Sequence, residues 1–475
     1  TYYFITFDKG TGKRIGNIPN LQTTPTVTVN TFNDYLFYEV DKYNLIKSGR
    51  TWYGNPFDVQ PTQDFSFNFS NVVAGSQAFL KIDVAGRSFK GGANGSSIKV
   101  TYNGGQLLDT KIASVLDDFT QPYCAVPVVG TSTSFAPTSS NIDLRFSFSA
   151  IYQPANAWLN YIDLNVKRNL VFTGNEIAFR EKTTVAPGNT ALFELGNMPT
   201  SSYYLWDVTT PWDVKNQGHN NTGGLVTFTA QSDTLHQYFA FNSNAYKNAT
   251  AFGQVANQNL HGISQVNMLI VTTPAYLAEA NRLAEFHRNF DTLSVAVVTD
   301  VQVFNEFSSG AADVSAIRDF CKMFYDRAAN NAEMPHYLLL FGDGTYDNKY
   351  ILYKANNYIV SYQSENSCSP TASYCSDDFF GLLDDNEGLW TTTEEPDMGI
   401  GRIPANNVEE AQMVVDKIIN YQSLSGKIVD ETACNTDATT MGDWRNTLCF
   451  IADDQDGVLH VNSADKLANK AKAKA

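Results

Sequence analysis

Acidic side chains set among glycines are the residues best placed to do chemistry in this sequence. Asp343 lies between Gly342 and Gly344, and Asp347 follows four residues later. Asp377 opens a short run, Asp377-Asp378-Phe379-Phe380-Gly381, and Asp453, Asp454 and Asp456 crowd one turn. Oxygen-rich turns of this kind can hold Ca2+, which takes carboxylate and carbonyl oxygens in flexible geometry. Asp453, Asp454 and Asp456 are therefore the candidate metal ligands. Asp and Gly are equally what tight turns and helix caps need. Asp343 is expected to organise its turn, by accepting backbone N–H bonds or by binding a cation, rather than to act as acid or base.

Covalent catalysis needs a nucleophile with a base beside it. The six histidines are His219, His236, His261, His287, His336 and His460. None occupies a small Gly-rich turn at a strand end, and only His460 follows one. The six cysteines are Cys124, Cys321, Cys368, Cys375, Cys434 and Cys449, and none has C-x-x-C spacing. Cys321 falls on the apolar face of a helix and reads as a buried thiol, whereas Cys368 and Cys375 share one loop-like stretch and could pair. No P-loop, nucleophile elbow or H-E-x-x-H occurs, and no glycine-rich turn opens a helix after a strand. The residues alone describe a scaffold without a complete active site.

Two kinds of element must position these side chains, and they divide the chain near residue 262. Before it, period-two alternation dominates. Residues 1–58 read as a β segment of short strands and turns, with Tyr35–Val40 as one strand. Residues 59–170 read as a β-sandwich, on the alternation in Phe65–Phe69, Phe79–Val84, Leu144–Phe148 and Trp158–Val166 and on the turn Asn103-Gly104 after Ile98–Tyr102. Residues 171–262 continue as a second β-rich unit. From 265 to about 425 apolar strands alternate with helices. Met268–Thr272, Val295–Val298 and Tyr337–Phe341 are short buried strands, with a helix opened by Pro274 and another capped by Asp313 between them. Met398–Gly401 leads into an amphipathic helix from Val408, and Thr447–Ala452 reads as a further strand before a Lys/Ala helical tail. The first residues, Thr1–Phe7, alternate like a strand.

The totals exclude some partners. The 475 residues carry a formal net charge of −16, so the field of the chain repels a nucleic-acid backbone. Charged residues make up only 17% and aromatics 13%, a mix that favours strands and suits an extracellular β-rich surface. No apolar run reaches the roughly 18 residues of a membrane span.

Three ordered motifs resemble those of the gingipain-type cysteine peptidases, family C25. They are Leu339-Leu340-Phe341-Gly342-Asp343-Gly344, Ser376-Asp377-Asp378-Phe379-Phe380-Gly381, and Gly399-Ile400-Gly401-Arg402-Ile403-Pro404 followed by the helix Val408–Tyr421. The front half, through Gly12–Ile15, Lys47–Gly54 and Leu159–Asn165, is similar to the branch of that family that serves as the sortase of type IX secretion. The resemblance implies a multidomain protein: a β-rich N-terminal half, a caspase-like α/β subdomain over 265–425, and the start of a second over 440–475. It places Asp343, Asp347 and Asp377 on a cleft rim or in structural roles. It puts the catalytic His and Cys beyond Ala475, so no catalytic residue is expected here and the fragment is expected to be inactive. The activity implied is a surface enzyme of Bacteroidetes-type bacteria, associated with the outer membrane. It removes C-terminal secretion signals from cargo, through a thioester, and joins the cargo to a lipopolysaccharide acceptor. The implied partners are a PorV-like outer-membrane barrel and the secreted cargo. No cofactor is required, Ca2+ being possible. A different class of function, a non-catalytic adhesion module, would be favoured by exposed aromatic rows within 59–170.

Overall fold

The computed structural model describes residues 2–7, 10–115, 123–352, 359–388, 394–422, 447–455 and 457–473. The front half is β-rich and the helices gather in the back half. The fold class is the one expected.

The sandwich consists of two four-stranded antiparallel sheets. One runs Thr62–Asn68, Asn141–Ala150, Ser96–Tyr102, Gly105–Ile112, and the other Thr31–Glu39, Ala155–Asn169, Ala78–Ser88, Val126–Phe135. Alternation decides which side chains meet between them. Phe65, Phe67, Leu80, Ile82, Ile142, Leu144, Ile162 and Leu164 form one buried core, and the residues between them face out. Asn103 and Gly104 both have positive φ, 50° and 77°, which is what a two-residue hairpin turn requires.

The second β unit also has two sheets. Five strands run Gly16–Ile18, Lys215–Gln217, Tyr203–Asp207, Tyr238–Asn242, Glu176–Phe179, and four run Asn220–Thr222, Leu225–Gln231, Thr190–Leu195, Val27–Val29. Phe179, Phe193, Phe228 and Tyr238 pack ring against ring in its core. Residues 1–58 thus lend their strands to two bodies. The first two strands pair in parallel with the second unit, and Thr31–Glu39 pairs with the sandwich. Short strands have no stability apart from the ladder they join. Residues 2–7, for which alternation suggested a strand, form none. Tyr3, Ile5 and Phe7 are exposed, and no described strand offers them a ladder.

The α/β unit is a four-stranded parallel sheet in the order Val295–Thr299, Met268–Thr272, Tyr337–Phe341, Gly399–Ile403. Helices Leu277–Phe290 and Val408–Gln422 cover one face, burying Ala280, Leu283, Ala411 and Val415. Helices Asp300–Phe307 and Val314–Arg327 cover the other, through Val303, Ile317, Phe320, Cys321 and Phe324. The expected cap is present, since the Asp313 carboxylate accepts the Ser315 N–H at 2.8 Å. Pro274 starts a 3-10 turn, Pro274–Tyr276, that runs into the helix. The helix Asp300–Phe307 was missed in the sequence, although Thr299 and Gln302 form a reciprocal capping box.

Thr447–Ala452 does not form the expected strand. Its backbone is irregular, and Leu448, Phe450 and Ile451 are exposed. An apolar run becomes a buried strand only when another strand pairs with it, and among the described residues none does. The helix Leu459–Lys472 that follows buries no residue.

Candidate functional site at the carboxyl ends of the parallel strands

Parallel sheets of doubly wound proteins place ligands outside the carboxyl ends of their strands. Here Thr272, Thr299, Phe341 and Ile403 stand in one row across the sheet, so the residues after them share one rim. Those residues are Thr273, Asp300, the Gly342-Asp343-Gly344 turn and Pro404.

Arg402 ties the rim together. Its Nε and Nη2 donate to the two carboxylate oxygens of Asp377, each at 2.7 Å. Its Nη1 donates to the carbonyls of Gly342, Asp343 and Ile359 at 3.1, 3.3 and 3.2 Å, and Nη2 to that of Val360 at 3.3 Å. The Arg402 side chain is only 12% exposed and that of Asp377 25%. A bidentate pair with its remaining donors satisfied is the form in which a buried ion pair is tolerated. The result joins the strand Gly399–Ile403, the end of Tyr337–Phe341, the stretch 359–360 and the turn Asp378–Gly381.

The other acidic residues have distinct local jobs. Asp347 is almost wholly buried, and its two oxygens accept the N–H groups of Ile351 and Leu352 at 2.8 and 2.7 Å. Asp343 accepts the Gly344 N–H at 2.8 Å, while its carbonyl accepts that of Ile359 at 2.8 Å. A Cβ at Gly344 would stand 2.5 Å from the Ser361 hydroxyl, which would have to rotate away. Asp300, unnoticed in the sequence, is buried at the end of its strand, and burial pushes its carboxyl up to about 6. Burial, and then the charges of Asp300 and Asp347, raise the Tyr350 phenol.

The front half grips this rim. Gly49 donates its N–H to Gln363 Oε1 at 3.1 Å, Ser48 meets Ser373 at 2.7 Å, and Thr51 N donates to Ser367 Oγ at 2.9 Å. Arg50 pairs with Glu365, Lys349 with Asp41 at 2.8 Å, and Trp52 stacks on Tyr346 at 5.9 Å. Gly49 has φ +80°, and a Cβ there would lie 2.2 Å from the Asn366 carbonyl oxygen. The segment Lys47–Gly54, which carried part of the family resemblance, is therefore the strap that lies against the loop after Gly342.

The structure brings Asp343 and Asp377 together through Arg402 and sets Asp347 in the next turn. Asp453 accepts the Gln455 N–H at 2.9 Å, Asp454 is exposed beside it, and Asp456 lies outside the described residues. Among the described residues no three His, Cys, Asp or Glu side chains are grouped to hold a metal. Cys368 and Cys375, expected as a possible pair, are both free, Cys368 buried and Cys375 exposed. Cys321 is fully buried as expected, and burial raises its thiol. Cys434 lies outside the described residues.

A doubly wound unit with a clamped carboxyl-end rim, behind a β front that grips the rim, defines a class. Residues 263–475 match the model of peptidase family C25, and the expected gingipain-type resemblance is present there. The fold is that of PorU: the crystal structure of dimeric latent PorU from Porphyromonas gingivalis superposes with a TM-score of 0.75 at 24% identity. That match covers 94% of this chain and 41% of the other, so the chain spans well under half of its relative. A family 35 carbohydrate-binding module from Clostridium thermocellum matches at 13% identity and a TM-score of 0.17, over 30% of this chain and 98% of its own, too slight a likeness to bear on either. No curated protein matches in sequence. No described helix is long and apolar enough to cross a membrane.

Proposed function

We propose that this chain is the front part of a type IX secretion sortase of the PorU kind, a cysteine peptidase and transpeptidase. The whole enzyme cleaves C-terminal signal domains from secreted cargo and transfers the cargo to a lipopolysaccharide acceptor at the cell surface. It works beside a PorV-like outer-membrane barrel. The observation that carries this reading is the Arg402–Asp377 clamp on the rim of a C25-matching sheet, gripped by the strap Lys47–Gly54. In this reading Asp343, Asp347 and Asp377 shape the rim, and His and Cys from elsewhere in the enzyme do the chemistry. No cofactor is needed, and Ca2+ at Asp453, Asp454 and Asp456 would be structural.

The test compares the 475-residue chain with the whole protein on peptides that carry a cargo signal. Cleavage by the whole protein alone, lost when its active cysteine is blocked, is the expected result. Cleavage by the chain itself, abolished by mutating one of its six cysteines, would overturn the reading.

A second reading has one observation in its favour. Tyr35, Phe37, Phe79 and Tyr161 stand on the outer face of a sandwich sheet, Phe37 and Tyr161 with ring centroids 5.3 Å apart. Such a row suits an adhesion module that stacks on sugar rings. Glycan binding lost in Phe37→Ala with Tyr161→Ala, together with no cleavage by the whole protein, would favour it.

A further inference from the structure

We propose that Cys124 and Cys368 form a disulfide that staples the sandwich to the loop at the carboxyl-end rim. The backbone N–H of Cys124 donates directly to the carbonyl of Cys368 at 2.7 Å. Standard bond lengths then hold the two Cα atoms within roughly 6.5 Å of each other. Disulfides span Cα separations of about 4.4–6.8 Å. No chain movement is needed to bring the residues into range, although 244 positions separate them in sequence.

The two cysteines share Leu45 as a neighbour. Cys368 packs in a small buried cluster with Tyr53, Ala85, Ala125 and Trp158, against which Leu45 lies. Its Sγ is 3.4 Å from the Tyr53 hydroxyl. Cys124 Sγ donates to the Leu45 carbonyl at 3.6 Å and receives Arg87 Nη1 at 3.8 Å. Both thiols are free in the structure. The cysteine that sequence proximity suggested for Cys368, Cys375, is on the exposed side of its loop instead.

The two thiols differ in the part each can take. Burial, against the opposing hydrogen bond with Tyr53 and helped by the nearby Cys124, pushes the Cys368 thiol up to about 11. Cys124 is partly exposed. Oxidation therefore begins at Cys124. Its thiolate attacks one sulfur of a small disulfide such as oxidised glutathione, breaking that S–S bond and releasing one glutathione thiolate. Cys368 gives up its proton and attacks the Cys124 sulfur of the mixed disulfide, expelling the second glutathione. Two protein thiols are oxidised and one glutathione disulfide is reduced to two thiols.

The test uses the intact 475-residue chain, folded, before and after incubation with oxidised glutathione. Free thiols are blocked with iodoacetamide without reduction and the peptides are mapped by mass spectrometry. The expected product is a Cys124–Cys368 cross-linked peptide, lighter by two hydrogens than its parts, that disappears on reduction. Cys124→Ser and Cys368→Ser each abolish it, and Cys375→Ser leaves it in full yield. A second readout is independent of those variants. After cleavage of the exposed stretch 246–257, the two fragments run together on a denaturing gel without reductant and separate with it. Pairing of Cys368 with Cys375 or Cys434, glutathione adducts alone, or both thiols still alkylated after oxidation would each overturn the proposal.

Discussion

Two acidic turns of similar composition meet opposite fates in this molecule. Asp343, Asp347 and Asp377 surround a glycine-bracketed strand end, and Asp453 and Asp454 precede a helix in the tail. At the first turn the carboxylates are drawn into structure: Asp377 pairs with Arg402, and Asp347 accepts two backbone N–H bonds. At the second, Asp453 makes one local bond and the neighbouring helix buries nothing. A carboxylate shapes a fold when burial raises the cost of leaving it unpaired and a partner meets that cost. In the tail, water solvates the charge and nothing is at stake.

The comparison breaks most decisively at Arg402. Arg402→Ala takes the guanidinium partner from Asp377 and one donor from each of four backbone carbonyls, and should cost about 3–5 kcal/mol in denaturant unfolding, the scale of breaking a buried pair. A loss near zero would place the clamp with the surface ion pairs and erase the contrast. Asp377→Ala in the Arg402→Ala background should add much less than it does alone, because the two residues act as one unit.

Asp300 sharpens the contrast through pH. Burial raises its carboxyl from 3.8 to about 6 in the folded chain. Between those values the folded state holds a proton that the unfolded state has released. The stability this group contributes is therefore whole below about pH 4 and lost as pH rises through about 6. Asp300→Asn keeps the acceptor for the Val301 N–H and removes the buried charge. The variant should be more stable than the parent above pH 6, by up to about 3 kcal/mol, and equal to it below about pH 4. Melts across pH 4–8 check the sign, and a variant that is less stable at pH 7 would contradict the burial argument.

Smaller effects are expected at single loop carboxylates. Asp347→Asn replaces one of two accepting oxygens with a donor facing a buried N–H, at a cost of about 1–2 kcal/mol. Among the described residues the Asp343 carboxylate bonds Gly344 alone, so Asp343→Asn should cost about half of that or less. Asp453→Asn with Asp454→Asn should stay within about 0.5 kcal/mol, the usual range of exposed substitutions. A melting temperature that falls on adding a chelator to the parent, and not to this double variant, would instead make the tail a Ca2+ site.

Much of the scaffold was legible because its elements carry local signals. Alternation in Phe79–Val84 and Trp158–Val166 marked strands whose inward residues are the sandwich core. Short apolar runs and the Asp313 cap marked the βαβ order. Legibility stopped where a side chain's role depends on residues far away in sequence. Arg402 reads as one charged residue in a strand, and only packing shows that it closes four segments. Asp300 draws no notice in the sequence, and only the rim shows that it is buried and that its charge reaches Tyr350.

The sequence by itself determined which segments could be strands or helices, where the β front gives way to the α/β back, and which turns demand glycine. Those follow from side-chain period and backbone sterics, both local properties. Tertiary structure alone decided that the first 58 residues divide between two β bodies and that Lys47–Gly54 straps the rim. It also decided that Thr447–Ala452 joins no strand among the described residues and that Cys368 lies against Cys124 rather than Cys375. Each of these depends on a contact between distant parts of the chain, and such a contact exists only once loop closure has brought its two halves together.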